Sequence, residues 1–251
     1  MNVQILPVQG LPIIKKGDDL ALLIHDSMIK VGVPLINGDI LVLSHVIVSK
    51  AEGNLVDLKS VEPSTPASNF ATYTGKDPRL VEVILREARA VRRMAPGVLV
   101  TETRQGFVCA NSGVDKSNVS GDEVVAPLPK DPDWSAKTVR DRIMELSGKD
   151  VAVIVCDTHG RAHRDGEVNV AVGSSGLMVI RDRRGEKDLF GYELHVKRTA
   201  VADELAAAAE LVIGQADEGI PAAVIRGYKY EKSDESKAID LVRPRNLDLF
   251  I

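Results

Sequence analysis

Ile40-Leu41-Val42-Leu43-Ser44-His45-Val46-Ile47-Val48 is a nearly continuous apolar run. The turn Asn37-Gly38-Asp39 precedes it, and Ser49-Lys50-Ala51-Glu52-Gly53 follows. Its length and its β-branched residues predict a strand buried on both faces. Towards the N-terminus, Val3, Ile5 and Pro7 read as a strand running to the turn at Gly10. Asp18 or Asp19 then caps an amphipathic helix over Leu20 to Val31, since a short carboxylate accepts the orphan amides of a first turn.

Towards the C-terminus, residues 60–78 are rich in Ser, Thr, Pro and Asn and read as a loop. A helix is expected over Leu80 to Arg93, stopped by Pro96-Gly97. Val98 to Thr103 and Phe107 to Ala110 read as a hairpin, and Pro127 to Pro132 as a linker or arm. A helix from Trp134 to Leu146 ends at Gly148, and Val151 to Cys156 is a second buried strand. Leu177 to Ile180, Glu193 to Val196 and Ala222 to Ile225 read as shorter strands, and Val201 to Ile213 as a helix. Strands and helices mix without regular alternation, so the expected class is α+β with a mixed sheet.

Hydrophobic residues make up 44% of the 251 and charged residues 27%, enough aliphatic surface to bury a core and exclude a disordered chain. Aromatics are only 4%, so that core is aliphatic. With 32 basic and 36 acidic side chains the net charge is −4, which argues against a protein built mainly to hold nucleic acid. No apolar run reaches membrane-spanning length and no leader is visible, so no membrane partner and a cytoplasmic location are expected. Cys109 and Cys156 have no metal-ligand spacing and read as buried thiols.

No phosphate loop and no dinucleotide fingerprint is present, so a nucleotide would need another architecture. Four segments end an apolar stretch in polar, glycine-bearing sequence. Lys50, just past the expected strand, is either a point charge for a phosphate or a solvated lysine. Asp115 and Asn118 either face a common point or belong to a plain turn. Asp157, directly after Val151 to Cys156, is either a hard-metal ligand supported by Thr158 or a local cap. His159 and His163 invite a zinc reading, but Gly160 separates them and no third ligand is evident. Arg161 and Arg164 suit an anion or stand exposed. Gly214 to Pro221 is either a ligand clamp or a helix cap and turn.

Taken together these segments resemble the coenzyme F420-0:L-glutamate ligase family, also called F420:γ-glutamyl ligase. The resemblance runs through Pro7-Val8-Gln9-Gly10-Leu11-Pro12, Gly38-Asp39-Ile40-Leu41-Val42, Ser49-Lys50-Ala51-Glu52-Gly53, Gly113-Val114-Asp115-Lys116-Ser117-Asn118-Val119, Asp157-Thr158-His159-Gly160-Arg161 and Gly219-Ile220-Pro221-Ala222-Ala223. It covers nearly the whole chain.

It implies one ligase domain over residues 1–251 with two intertwined subdomains, a homodimer closed by exchanged β-hairpins, and no C-terminal flavin-binding domain beyond Leu249-Phe250-Ile251. It implies GTP-dependent joining of L-glutamate to F420-0, with Mg2+ or Mn2+ as two ions and K+ as an additional ion. By resemblance, Leu11, Pro12, Ile13, Ile14, His45, Val46, Lys50, Asn118 and the loop Gly214, Gln215, Ala216, Asp217, Glu218, Gly219, Ile220 and Pro221 hold the nucleotide. Asp115, Asp157, Thr158 and a position near Ala216 hold metal, and Lys50, Asp115 and Asp157 carry catalysis. Two positions depart from the family pattern: His45 stands where a small hydroxyl residue is usual, and His159 where asparagine or methionine is usual.

Overall fold

A computed structural model describes residues 2–248; the closing Leu249-Phe250-Ile251 lies outside the described residues. In chain order the elements are β1 (Gln4–Pro7), α1 (Leu20–Lys30), β2 (Ile40–Ser44), α2 (His45–Glu52), β3 (Val56–Asp57), α3 (Thr65–Thr74), α4 (Pro78–Glu87), β4 (Ala88–Ala95), β5 (Val98–Thr103), β6 (Val108–Ala110) and β7 (Val124–Val125). Then follow α5 (Pro132–Ser147), β8 (Ala152–Gly160), β9 (Glu167–Ser175), β10 (Ile180–Asp182), β11 (Arg198–Ala200), α6 (Val201–Ile213) and β12 (Ala222–Arg226).

The central sheet has the order β1-β12-β2-β8-β9. β2 and β8 run parallel and the other pairs antiparallel, so the expected α+β class with a mixed sheet is found. Both faces of β2 are buried, as the opening run predicts. Leu41 and Leu43 join Val153, Val155 and Val224 in a core with α1 and α5, and Ile40 and Val42 join Ile154 and Ile225 in a core with α6. Each such side chain contributes roughly 1.5–3 kcal/mol on burial. The chain leaves this sheet after α2 and builds a third core from Leu58, Val61, Ala67, Val81, Ile84, Leu99 and Val125, beside the antiparallel sheet β4-β5-β6.

Several boundaries differ from the sequence reading. The apolar run at 40–48 is not one strand. Ser44 has extended backbone and its hydroxyl accepts from the Val46 amide, so the strand stops there and α2 begins; Gly53, left-handed at φ 73°, ends that helix. Residues 60–78 are not simply a loop: Ser64 caps α3, Pro66 sits in its first turn and Gly75 closes it. The expected helix over 80–93 ends at Glu87, because Ala88–Ala95 pairs with β5 across two register shifts. Tertiary pairing there overrides helical spacing. The strands expected at 177–180 and 193–196 lie at Ile180–Asp182 and Arg198–Ala200. The Pro127 segment is no arm: Pro127, Leu128 and Pro129 are buried, and their carbonyls accept from the Ser49 hydroxyl at 2.7 Å and from the Asn54 and Gln105 amides at 2.7 and 3.2 Å.

Close approach between α5 and the sheet depends on Gly173 in β9. A Cβ there would meet the Pro132 carbonyl oxygen at 2.3 Å and its carbon at 2.4 Å, both backbone atoms. Gly173→Ala is expected to destabilise the fold by about 1–3 kcal/mol. The check is a lower urea midpoint at unchanged slope. No helix among the described residues is long and apolar enough to cross a membrane.

Candidate active site

At the C-terminal ends of the parallel strands β2 and β8, where β2 passes into α2, a cleft of about 400 Å³ opens. Five pieces of chain distant in sequence line it. Leu11, Pro12, Ile13 and Ile14 form one flank, and Ser44, His45, Val46 and Lys50 come from the β2–α2 junction. Asp115 and Asn118 face them, with Asp157 and Thr158 from β8. Gly214, Gln215, Ala216, Glu218, Gly219, Ile220 and Pro221 close the other side. Of the site residues named from sequence, only Asp217 is not among the lining residues; it is exposed. Glu218, also exposed, lines the cleft and accepts from the Ala216 amide at 2.8 Å. Gly214 makes room for that carboxylate, since a Cβ there would lie 2.2 Å from the Glu218 side chain.

Asp157 lies within β8 rather than after it, opposite Val170 of β9. A register shift between Val155 and Cys156 re-aims the end of the strand, a common device beside functional sites. The Asp157 carboxylate is only 6% exposed. Its Oδ1 lies 3.4 Å from His45 Nε2 and accepts from the Thr158 amide at 2.8 Å, while Oδ2 lies 3.0 Å from His159 Nε2. Asp115 reaches the same imidazole, with Oδ2 3.2 Å from His45 Nε2. Its backbone is fixed by a reciprocal pair of hydrogen bonds with Ala126 at 2.9 and 2.8 Å. Before it, Asn111 and Ser112 both hold positive φ, a strained turn that the buried Ser112 hydroxyl anchors to Thr101 at 2.7 Å and to the Ile84 carbonyl at 3.0 Å.

Two carboxylates thus converge on one nitrogen at the first turn of α2. Burial alone would raise the Asp157 carboxyl, but the charge on His45 and the hydrogen bonds from His159 and Thr158 outweigh it and hold it below the usual range. Burial alone would lower the His45 imidazole, but Asp157 and Asp115 together raise it. The imidazole thus sits between two carboxylates, a setting that favours positive charge. His45 Nε2 and one oxygen from each of Asp115 and Asp157 lie within 4.8 Å of one another, a donor set that fits a divalent ion.

Thr158 and Ala216 both line the cleft. The Thr158 hydroxyl is engaged by the Asn169 and Gln215 side-chain amides at 2.7 and 3.0 Å. Ala216 has no side-chain donor and its amide is taken by Glu218, so only its carbonyl could meet an ion. Gln215, one residue earlier, is the side chain that reaches Thr158.

Lys50 does not exit a strand. It sits in the last turn of α2, half-buried, and donates to the Asn118 carbonyl at 2.5 Å. Burial lowers its ammonium below the ordinary lysine range. Asn118 holds positive φ at 53°, which turns its carbonyl towards the lysine side of the cleft. His159 is no surface residue, being 13% exposed against Asp157. His163, Arg161 and Arg164 lie in the β8–β9 turn, away from the cleft lining, where Arg161 holds the carbonyls of Asp165 and Gly166.

The sequence pattern of the F420-0:gamma-glutamyl ligase family matches residues 10–227. The chain belongs to this family. It is therefore a ligase of the amide-forming class. Similar proteins carry the name coenzyme F420:L-glutamate ligase. The one from Methanothermobacter thermautotrophicus is 49% identical over all of this chain and 99% of its own. That from Methanopyrus kandleri is 49% identical over 98% of this chain and 97% of its own, and that from Methanocaldococcus jannaschii 45% over 96% and 94%.

The sequence reading missed one element of the cleft. Asn169, on β9, lines it, donates to Cys156 Sγ at 3.4 Å and accepts from Thr158. The signal was present in Glu167-Val168-Asn169-Val170-Ala171-Val172, whose polar and apolar residues alternate as in a strand.

Proposed function

We propose that the protein joins L-glutamate to the carboxylate of F420-0 by GTP-dependent phosphoryl activation, in the cleft around Asp115 and Asp157. The observation that carries this reading is the convergence of these two carboxylates on His45 Nε2 in a cleft also lined by Lys50 and the 214–221 loop. Divalent ions held by Asp115 and Asp157, with Thr158 and the Ala216 carbonyl, would neutralise phosphate charge and orient the acceptor carboxylate. Leu11 to Ile14 supply an apolar flank suited to the nucleoside, and Ile13, 74% exposed, stands free to cover a ring.

In the reaction, a carboxylate oxygen of F420-0 takes the γ-phosphoryl group, giving an acyl phosphate and GDP. The glutamate amine attacks the acyl carbon, the carbon–oxygen bond to phosphate breaks, and phosphate leaves. Lys50 places a cation beside the transferring group. Asp157, fixed by the Thr158 amide and His159, and Asp115, fixed by Ala126, keep their oxygens in place throughout. Incubation with F420-0, L-glutamate, GTP and Mn2+ should yield F420-0 heavier by one or more glutamyl groups, read by mass spectrometry. Phosphate release without amide would make the protein a hydrolase and overturn the reading.

The reading includes a homodimer. The arm between β10 and β11 carries Leu189, Phe190, Tyr192 and Val196 at 99, 95, 63 and 89% exposure, an apolar patch that invites a second copy. Sedimentation at micromolar concentration should give twice the 27.1 kDa chain mass. Phe190→Asp with Leu189→Asp should halve it; an unchanged sedimentation coefficient in that variant would remove the arm from the interface.

A further inference from the structure

The cleft uses one oxygen of Asp157. The other faces the opposite way, into a second group of ligand atoms: Cys109 Sγ, His159 Nε2 and Asp157 Oδ2 lie within 4.8 Å of one another. We propose that Cys109, Asp157 and His159 form a second metal site, one for a thiophilic divalent ion of the Zn2+ class, coupled to the cleft because both share Asp157.

The three donors are fixed by different constraints. Cys109 is the central residue of β6, paired with Thr101 of β5 and only 6% exposed, and the Gly113 amide hydrogen-bonds its sulfur. Asp157 and His159 lie two apart on β8, so their side chains leave the same face of the strand. His159 Nε2 and Asp157 Oδ2 are 3.0 Å apart. Ligand atoms of one tetrahedral zinc, at bonds of about 2.0–2.3 Å, stand roughly 3.5 Å from each other. The group is therefore near the required spacing without backbone movement.

Its chemistry differs from that of the cleft. One thiolate, one imidazole and one carboxylate select a borderline or soft ion over Mg2+. The set leaves a fourth position open. On binding, the Cys109 sulfur–metal bond forms and the thiol proton goes to solvent. His159 completes the set.

Sharing Asp157 has a consequence for activity. A Zn2+ ion on Oδ2 draws charge from the carboxylate that faces His45 and Asp115, so it should suppress the chemistry of the cleft; this part rests on the ligase reading. The site itself does not, and its test needs no turnover. Co2+ serves as the probe, because a cobalt–thiolate bond gives a near-ultraviolet charge-transfer band. Titrating the chelator-treated protein with Co2+ should produce that band. Cys109→Ser should abolish it, His159→Asn should weaken Co2+ binding by about tenfold or more, and Asp115→Asn should leave it. Far-ultraviolet circular dichroism checks that each variant is folded. No band in the folded wild type, or a band that survives Cys109→Ser, overturns the proposal. So does Co2+ bound without a thiolate band and lost with Asp115→Asn, which would place it in the cleft. If the ligase reaction is observed, Zn2+ should inhibit the wild type and spare Cys109→Ser, whose basal turnover is unchanged. Equal inhibition of both would remove the coupling.

Discussion

Asp157→Asn is expected to lower kcat/KM for ligation by about 10³-fold or more, on the scale set by removing one group that meets transition-state charge. The substitution keeps side-chain volume, and the amide oxygen can still accept from the Thr158 backbone. It removes the negative charge that, with Asp115, makes this end of the cleft a cation site. Loss of one partner from a buried ion pair ordinarily destabilises a fold strongly. Here Asp115 stays 3.2 Å from His45, so the imidazole keeps a carboxylate partner. The thermal midpoint should therefore move much less than activity. Asp115→Asn tests the same point from the exposed side, where the carboxylate is 41% exposed. Wild-type turnover in either variant would separate the carboxylates from the chemistry.

Lys50→Met is expected to reduce kcat/KM for GTP by roughly ten- to a hundredfold, the equivalent of one charge-assisted contact of about 1.5–3 kcal/mol. Methionine keeps much of the stem that packs within α2 and removes the ammonium. The Asn118 carbonyl loses its donor as well, so part of the effect comes from the 115–120 turn. Lys50→Arg separates the two contributions: it retains the charge and a donor but not the compact geometry of an ammonium. Partial rescue by arginine indicates charge. An unchanged value in Lys50→Met would make the lysine an anchor for Asn118 alone.

The residues of the cleft were more legible in the sequence than the elements that carry them. Polar, glycine-bearing segments drew attention to Asp115, Asp157 and Thr158, but a plain turn or cap explained them equally well, and only the family resemblance assigned them to metal. Their supports were less visible. The switch from strand to helix at Ser44 is hidden inside an unbroken apolar run, since Val46, Ile47 and Val48 suit either element, and a single capping hydroxyl decides between them. β4 was hidden for the opposite reason. Its arginines continue the pattern of α4, and only pairing with β5 and the ion pair between Arg92 and Glu102 make it a strand. The two cores, one on each side of β2, follow from alternation within Ile40-Leu41-Val42-Leu43, but which helix covers which face is a matter of topology. The convergence of Asp157 with Cys109 and His159 could not be read at all, because β6 and β8 meet only in the fold.

The central claim is that the cleft activates a carboxylate by phosphoryl transfer before glutamate attacks it. Its most direct measurement uses F420-0 labelled with ¹⁸O in the acceptor carboxylate, incubated with GTP, L-glutamate, Mn2+ and the protein. Phosphate released with each new amide bond should carry one labelled oxygen per turnover. Phosphate free of label would mean that its oxygen came from water, and would contradict the account.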